Sequence, residues 1–271
     1  CWLNIMLIRS LNVNQLIDIA KYGPAALVTG ASSGIGLSFA TLLAQAGFDL
    51  LLPARRIDRL EELAATLESS YGVSVVILKV DLNSTTAVDA IFDAAASMDI
   101  GLIINNAGFR DAGAYQDIDP ARAASMIDVN DKLPVLLTHR LLPHLLRRGK
   151  GGLLFTGSIE ANMGFPFACV YAASKAFIRS LGEGLWGELH EHNIDVLVVE
   201  PGSTDTENYA RQGLDASESD AVWQPDEVAR AGLKNIANGP ILAVGDTTER
   251  AGIMAVADMP RRDGLKLLAG S

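Results

Sequence analysis

Cysteine is nearly missing from this chain: Cys1 and Cys169 are the only two among 271 residues. Two thiols cannot form a disulfide framework, and without a Cys-x-x-Cys pair there is no dithiol redox centre or zinc knuckle. Free thiols point to a reducing compartment, and a cytoplasmic protein is expected. Histidine is equally sparse. His139, His144, His190 and His192 include no His-Glu-x-x-His arrangement, and the first two are spaced onto different helix faces, so no catalytic metal is expected. Basic residues are the minority: 22 Lys and Arg against 32 Asp and Glu leave a formal charge of −10. That balance argues against a general nucleic-acid or anionic-membrane binder. Long hydrophobic runs are missing too. The apolar patch from Leu3 to Ile8 is too short to cross a bilayer and lacks the layout of a signal peptide. An amphipathic helix over Leu11 to Ala20 is the simpler reading of that region.

What the chain does have is apolar content, 49% of residues, enough for one large α/β domain. Short apolar runs alternate with longer amphipathic stretches. Strands are expected at Ala25–Thr29, Asp49–Ala54, Ser74–Val80, Ile100–Asn105, Leu153–Thr156, Asp195–Glu200 and Ile241–Val244. Helices are expected at Ser38–Gly47, Arg59–Tyr71, Thr85–Ala96, Pro120–Arg148, Tyr171–His190 and Pro225–Ala237. Asp119 is placed to cap the long fourth helix, with Pro120 at its first position, and Gly72 to stop the second. Runs such as Leu50-Leu51-Leu52 and Val196-Leu197-Val198-Val199 are continuous rather than alternating, the mark of parallel strands covered on both faces. Strand–helix alternation throughout gives a Rossmann-type doubly wound sheet. No repeat, low-complexity tract or linker interrupts it.

The first expected strand runs into Thr29-Gly30-Ala31-Ser32-Ser33-Gly34-Ile35-Gly36. Glycines there let the chain turn into a helix and let its backbone approach a pyrophosphate, which the helix N-terminus attracts. A tight turn alone would use the same glycines, so position decides. After the second strand comes Pro53-Ala54-Arg55-Arg56. A carboxylate at Ala54 would hold the ribose 2′-OH of NAD. Alanine followed by two guanidinium groups instead favours the 2′-phosphate of NADP(H), with Arg55 ahead of Arg56. Asp81-Leu82 is placed to meet the adenine. Asn105, Asn106, Ala107 and Gly108 close the fourth strand, the asparagines serving either as strand braces or as ligand contacts. The expected organisation is an N-terminal helical extension over 1–24, then one NADP-binding domain over 25–271.

Tyr171 and Lys175 share one helix face, and Ser158 ends the fifth strand. Carbonyl reduction needs a proton donor at the oxygen. A lysine ammonium is expected to draw the tyrosine pKa down from near 10 to a useful range, with Ser158 bonding the substrate oxygen.

With these residues in order, the sequence resembles the short-chain dehydrogenase/reductase family in its Thr-Gly-x-x-x-Gly-x-Gly branch, over residues 25 to about 206. The resemblance implies seven parallel strands and a Ser158-Tyr171-Lys175 mechanism, in which Asn130 holds a water in a proton relay to Lys175. It implies that Pro201, Gly202, Thr204 and Thr206 border the nicotinamide, that Tyr171 and Lys175 also touch cofactor, and that residues 202–224 form a substrate lid. It also implies a homodimer or homotetramer through helices 120–148 and 171–190, which offers close packing as a reason for Gly187. The expected activity is interconversion of a carbonyl and a secondary alcohol. Phe109, Glu160 and Phe165 are the expected substrate contacts, joined by Arg110, Met163 and Phe167 from the facing loops. Glu160 is read either as a polar specificity group or as a solvated loop charge. Two alternatives differ in kind. One is a non-catalytic NADP(H)-binding scaffold. The other is an epimerase or dehydratase, disfavoured because that branch is longer and uses a Gly-x-x-Gly-x-x-Gly turn.

Overall fold

Each of the seven runs expected as strands is a strand. The computed structural model describes residues 12–210, 222–245 and 247–270. Seven parallel strands, β1 Ala25–Val28, β2 Asp49–Ala54, β3 Val75–Lys79, β4 Ile100–Asn105, β5 Gly151–Thr156, β6 Ile194–Pro201 and β7 Ile241–Val244, lie in the order β3-β2-β1-β4-β5-β6-β7. In register, Leu27 of β1 faces Leu51 of β2 on one side and Ile103 of β4 on the other.

The helices, in chain order, are α1 Ile19–Tyr22, α2 Gly34–Gln45, α3 Ile57–Tyr71, α4 Ala87–Ala95, α5 Pro120–Ile127, α6 Leu133–Arg148, α7 Cys169–Leu189, α8 Glu207–Ala210, α9 Pro225–Asn235, α10 Thr247–Asp258 and α11 Arg261–Ala269. Alternate residues of each strand feed two cores. Leu50, Leu52, Ile104 and Leu154 pack under Phe39 and Leu43 of α2, Leu60 of α3 and Val228 of α9. Leu51, Ile103, Leu153 and Val198 pack under Ile91 of α4, Leu137 and Leu141 of α6 and Ile178 of α7. The period-two alternation of a strand sends its side chains to opposite faces, so an unbroken apolar run is what a doubly covered sheet requires. None of the described helices is long and apolar enough to cross a membrane.

Four expectations are corrected. The segment from residue 12 to 22 is a 3₁₀ turn at Val13–Gln15 followed by α1, not one helix over Leu11 to Ala20; residue 11 and those before it lie outside the described residues. The first crossover helix begins at Gly34, inside the glycine-rich stretch, rather than at Ser38. The helix expected over Pro120–Arg148 is capped by Asp119 but is interrupted by a π-helical turn at Asp128–Lys132, where Leu133 N–H reaches back to the Asp128 carbonyl. The cause is Pro134, which carries no N–H to return to the Asn130 carbonyl. Finally, α10 and α11 follow the last expected element. Gly187 has no neighbour within 4 Å of where a Cβ would stand, so packing inside this chain does not account for it.

Candidate active site

The strand order reverses between β1 and β4, and a doubly wound sheet opens a crevice at the carboxyl ends of its strands there. A cleft of about 630 Å³ occupies that place. Its lining gathers Gly30, Ser32, Ser33, Gly34 and Ile35 after β1, and Arg55 and Arg56 after β2. Asp81 and Leu82 follow β3, and Asn106, Ala107, Gly108 and Phe109 follow β4. Ser158 and Glu160 follow β5, and Pro201, Gly202, Thr204 and Thr206 end the set after β6. Phe165, Tyr171 and Lys175 complete the wall.

Of the expected catalytic residues and those of the glycine-rich turn, Asn130 and Gly36 stand behind this surface rather than on it. Gly36 does not line the cleft: a Cβ there would lie 2.3 Å from the Gly30 carbonyl oxygen and 2.4 Å from Asn106 Nδ2. Its lack of a side chain lets α2 close onto the turn. Asn130 is buried, and its amide is fully engaged. Its Oδ1 accepts from Phe109 N–H at 3.0 Å, while Nδ2 donates to the Phe109 carbonyl at 3.0 Å and to Ser174 Oγ at 3.1 Å. The side chain thus clamps the loop that bears Phe109.

The nucleotide end of the cleft suits a dinucleotide phosphate. The Ser33 side chain makes no cap bond to α2, which leaves the first-turn N–H groups open beside the cleft. Gly34 holds φ at +56°, with Thr206 Cγ2 3.1 Å from where a Cβ would stand. Arg56, ranked second to Arg55 in the sequence, is the guanidinium that turns inward: Nη2 donates to Ser32 Oγ at 2.9 Å and Ser33 Oγ at 2.8 Å. Arg55 is 74% exposed, its Nε 3.9 Å from Asp81. Thr29 and Asn106 tie β1 to β4, through Asn106 N–H to Thr29 Oγ1 at 3.0 Å and Asn106 Nδ2 to the Thr29 carbonyl at 3.1 Å.

At the other end, Lys175 is buried and donates to the Thr156 carbonyl at 2.8 Å. Ser158 lines the cleft together with Tyr171, and its Oγ accepts from Glu160 N–H at 3.2 Å. Burial and, second, the Glu160 carboxylate push the Tyr171 hydroxyl above its usual range, while Ser158 and Arg110 pull it back. This reverses the expectation that Lys175 draws the tyrosine down. Lys175 Nζ stands 5.6 Å from the Tyr171 ring centroid, and burial lowers its own pKa to about 8 against the opposing pull of Asp131.

Glu160 is 20% exposed and 3.5 Å from Arg110 Nε, so it is not a solvated loop charge; burial raises its pKa while Arg110 opposes. Arg110 in turn stands 5.7 Å from the Tyr171 ring centroid. Of the other facing residues, Met163 is buried and Phe167 exposed, and neither lines the cleft. Asp205 and Glu207 of the expected lid are described, whereas Asp215, Glu218 and Asp220 lie outside the described residues.

Three features escaped the sequence. Glu249 and Ile253 of α10 wall the cleft, and Glu249 accepts from Ser203 N–H and Oγ at 3.1 and 2.9 Å. Buried Asp131 follows Asn130, its carboxyl raised to about 7 by burial against the pull of Lys175. Glu207 reaches the arginines after β2. No local pattern marks Glu249 or Glu207, while Pro134 does signal the irregular turn that carries Asp131.

Comparisons with known proteins agree with this geometry. The family model for short chain dehydrogenase matches residues 24–216. A 7beta-hydroxysteroid dehydrogenase from Clostridium sardiniense is 31% identical over 217 residues, covering 80% of this chain and 83% of that protein. A sulfoacetaldehyde reductase 2 from Chromohalobacter salexigens is 36% identical over 203 residues, covering 73% and 80%. Among solved structures, a short-chain dehydrogenase from Sphingobium yanoikuyae in complex with NADPH superposes with a TM-score of 0.77 at 32% identity, covering 82% and 87%. The chain belongs to the short-chain dehydrogenases, and it is an oxidoreductase of the alcohol–carbonyl kind.

Proposed function

We propose that this protein is an NADP(H)-dependent oxidoreductase that reduces a carbonyl to a secondary alcohol, or runs the reverse, with Ser158, Tyr171 and Lys175 at the reacting oxygen. The observation that carries the reading is the meeting of those three side chains with the glycine-rich turn in one cleft. The residues of the turn and the two arginines fit a dinucleotide with a 2′-phosphate, and the S. yanoikuyae relative binds NADPH. When bound, the nicotinamide supplies the hydride. Tyr171 donates its proton to the carbonyl oxygen: its raised pKa keeps the hydroxyl protonated, and the alkoxide that hydride transfer would leave on that oxygen is more basic than a phenolate and takes the proton. Ser158 bonds the same oxygen as charge develops. Lys175 offsets the charge left on Tyr171, and Asn130 fixes the Phe109 loop that shapes the pocket beside it. Phe109, Phe165, Ile159 and Ile253 form an apolar wall, with the Arg110–Glu160 pair as its polar element.

The test joins binding to turnover. Tryptophan-quench titration is expected to give tighter binding of NADPH than of NADH, with the difference reduced in Arg55→Ala and Arg56→Ala. Carbonyl-dependent NADPH oxidation, screened over ketosteroids, keto-esters and oxo acids, is expected to fall by about 10²- to 10⁴-fold in Tyr171→Phe, with NADPH binding unchanged. Turnover that survives in Tyr171→Phe rejects the mechanism, and a protein that binds NADPH but turns over no carbonyl supports the scaffold alternative.

A further inference from the structure

The carboxylate of Glu207, from the short helix α8, crosses the nucleotide end of the cleft to the arginines that open α3. Its Oε2 is 2.7 Å from Arg56 Nη1, and its Oε1 is bonded by Arg59 Nη1. Arg56 is thereby divided between two tasks: Nη2 and Nε serve Ser32 and Ser33 of the glycine-rich turn, and Nη1 serves Glu207. Both side chains remain about one-third exposed, at 38% and 33%, so a ligand entering the cleft can reach the pair. Glu207, Ser32, Ser33, Arg55 and Arg56 all line the same cleft.

A guanidinium recognises a carboxylate and a phosphate through the same planar fork of N–H groups. Given the NADP(H) reading above, on which this assignment rests, we propose that Glu207 is a cofactor-selectivity residue whose carboxylate competes with the 2′-phosphate for Arg56. A phosphate carrying up to two negative charges at Arg56 must displace Glu207 or be held beside a like charge, and either costs affinity. Arg59 gives the displaced carboxylate a second anchor. NADH carries a hydroxyl where NADPH carries the phosphate and leaves the Glu207–Arg56 pair undisturbed. The arginines bonded to Glu207 also hold its carboxyl below the usual carboxylate range, which favours the charged form that competes.

The experiment is a titration of wild type and Glu207→Gln with NADPH and with NADH, following tryptophan fluorescence, for which Trp223 beside Thr204 is a nearby reporter. Near 50 mM salt the variant is expected to bind NADPH at least about threefold tighter and NADH within about twofold of wild type, the gain shrinking near 0.5 M salt as screening weakens the repulsion. Glu207→Gln added to Arg56→Ala is expected to change nothing further, because the competed group is gone. Unchanged or weaker NADPH binding in Glu207→Gln overturns the proposal, the latter outcome making Glu207 a prop that orients Arg56. An equal gain for both cofactors overturns it as well. If Arg55→Ala and Arg56→Ala leave the NADPH-to-NADH ratio untouched, the NADP(H) reading itself fails, an outcome the Arg variants separate from failure of the competition alone.

Discussion

At Tyr171 two opposite charges compete across one pocket wall: Glu160 pushes the hydroxyl pKa up and Arg110 pulls it down, with burial adding to the upward push. In the alkaline range where a tyrosine titrates, Glu160 is ionised. Glu160→Gln therefore removes a charge that disfavours phenolate and frees Arg110 to favour it, and both changes lower the Tyr171 pKa. Reduction needs the protonated hydroxyl, so its alkaline limb is expected to move to lower pH by roughly half to one unit. Oxidation needs the phenolate, so its rising limb is expected to move the same way. Paired pH profiles of kcat/KM in the two directions check the sign, and an unmoved or alkaline-shifted limb refutes it. The tyrosine, lysine and serine were legible from residue type and spacing, because carbonyl chemistry asks for those groups. The direction of the tyrosine shift was not. It depends on burial and on Glu160 and Arg110, fifty residues apart in sequence and joined only by the fold.

The glycine-rich turn and α2 form the element that would position the proposed nucleotide. Gly36 has no contact with the cleft, yet a methyl group on it would stand 2.3 Å from the backbone oxygen of Gly30. Backbone cannot swing aside as a flexible side chain can, so Gly36→Ala is expected to force α2 off the turn. That overpacking costs about 1–3 kcal/mol, to be read as a lower urea midpoint of the apo protein with weakened NADPH binding beside it. A variant with the wild-type midpoint contradicts the close-packing role. Legibility at this scale followed the source of each element's stability. Buried strands announce themselves as apolar runs, whereas α2 hides its first turn because glycine is a poor helix former and reads as a loop. The π turn at Asp128–Lys132 was written in Pro134, but the apolar periodicity on either side masks it. The terminal helices α10 and α11 carry few large buried side chains and gave no comparable pattern.

At the scale of the whole molecule, the reversal of strand order between β1 and β4 opens one cleft lined by both the glycine-rich turn and the Ser158, Tyr171 and Lys175 side chains. The helices on one sheet face also keep apolar groups outside the core: Ile127 of α5, Leu136 and Leu146 of α6, and Phe177 of α7 are all exposed. These four side chains lie on the helices expected to meet a second subunit. A dimer or tetramer through them is the expectation to test, and it would give Gly187 a reason this chain alone does not, since the missing side chain would let a partner helix come close. Phe177 is nearly half exposed, so placing a charge there adds little strain to the folded monomer but a desolvation penalty to any interface. Sedimentation of the wild type at micromolar concentration is expected to show a dimer or tetramer, and Phe177→Asp a smaller species with unchanged circular dichroism. A wild type that sediments as a monomer removes the interface. A Phe177→Asp variant that keeps its oligomeric state places the contact on other helices, and Gly187 is then left without an account.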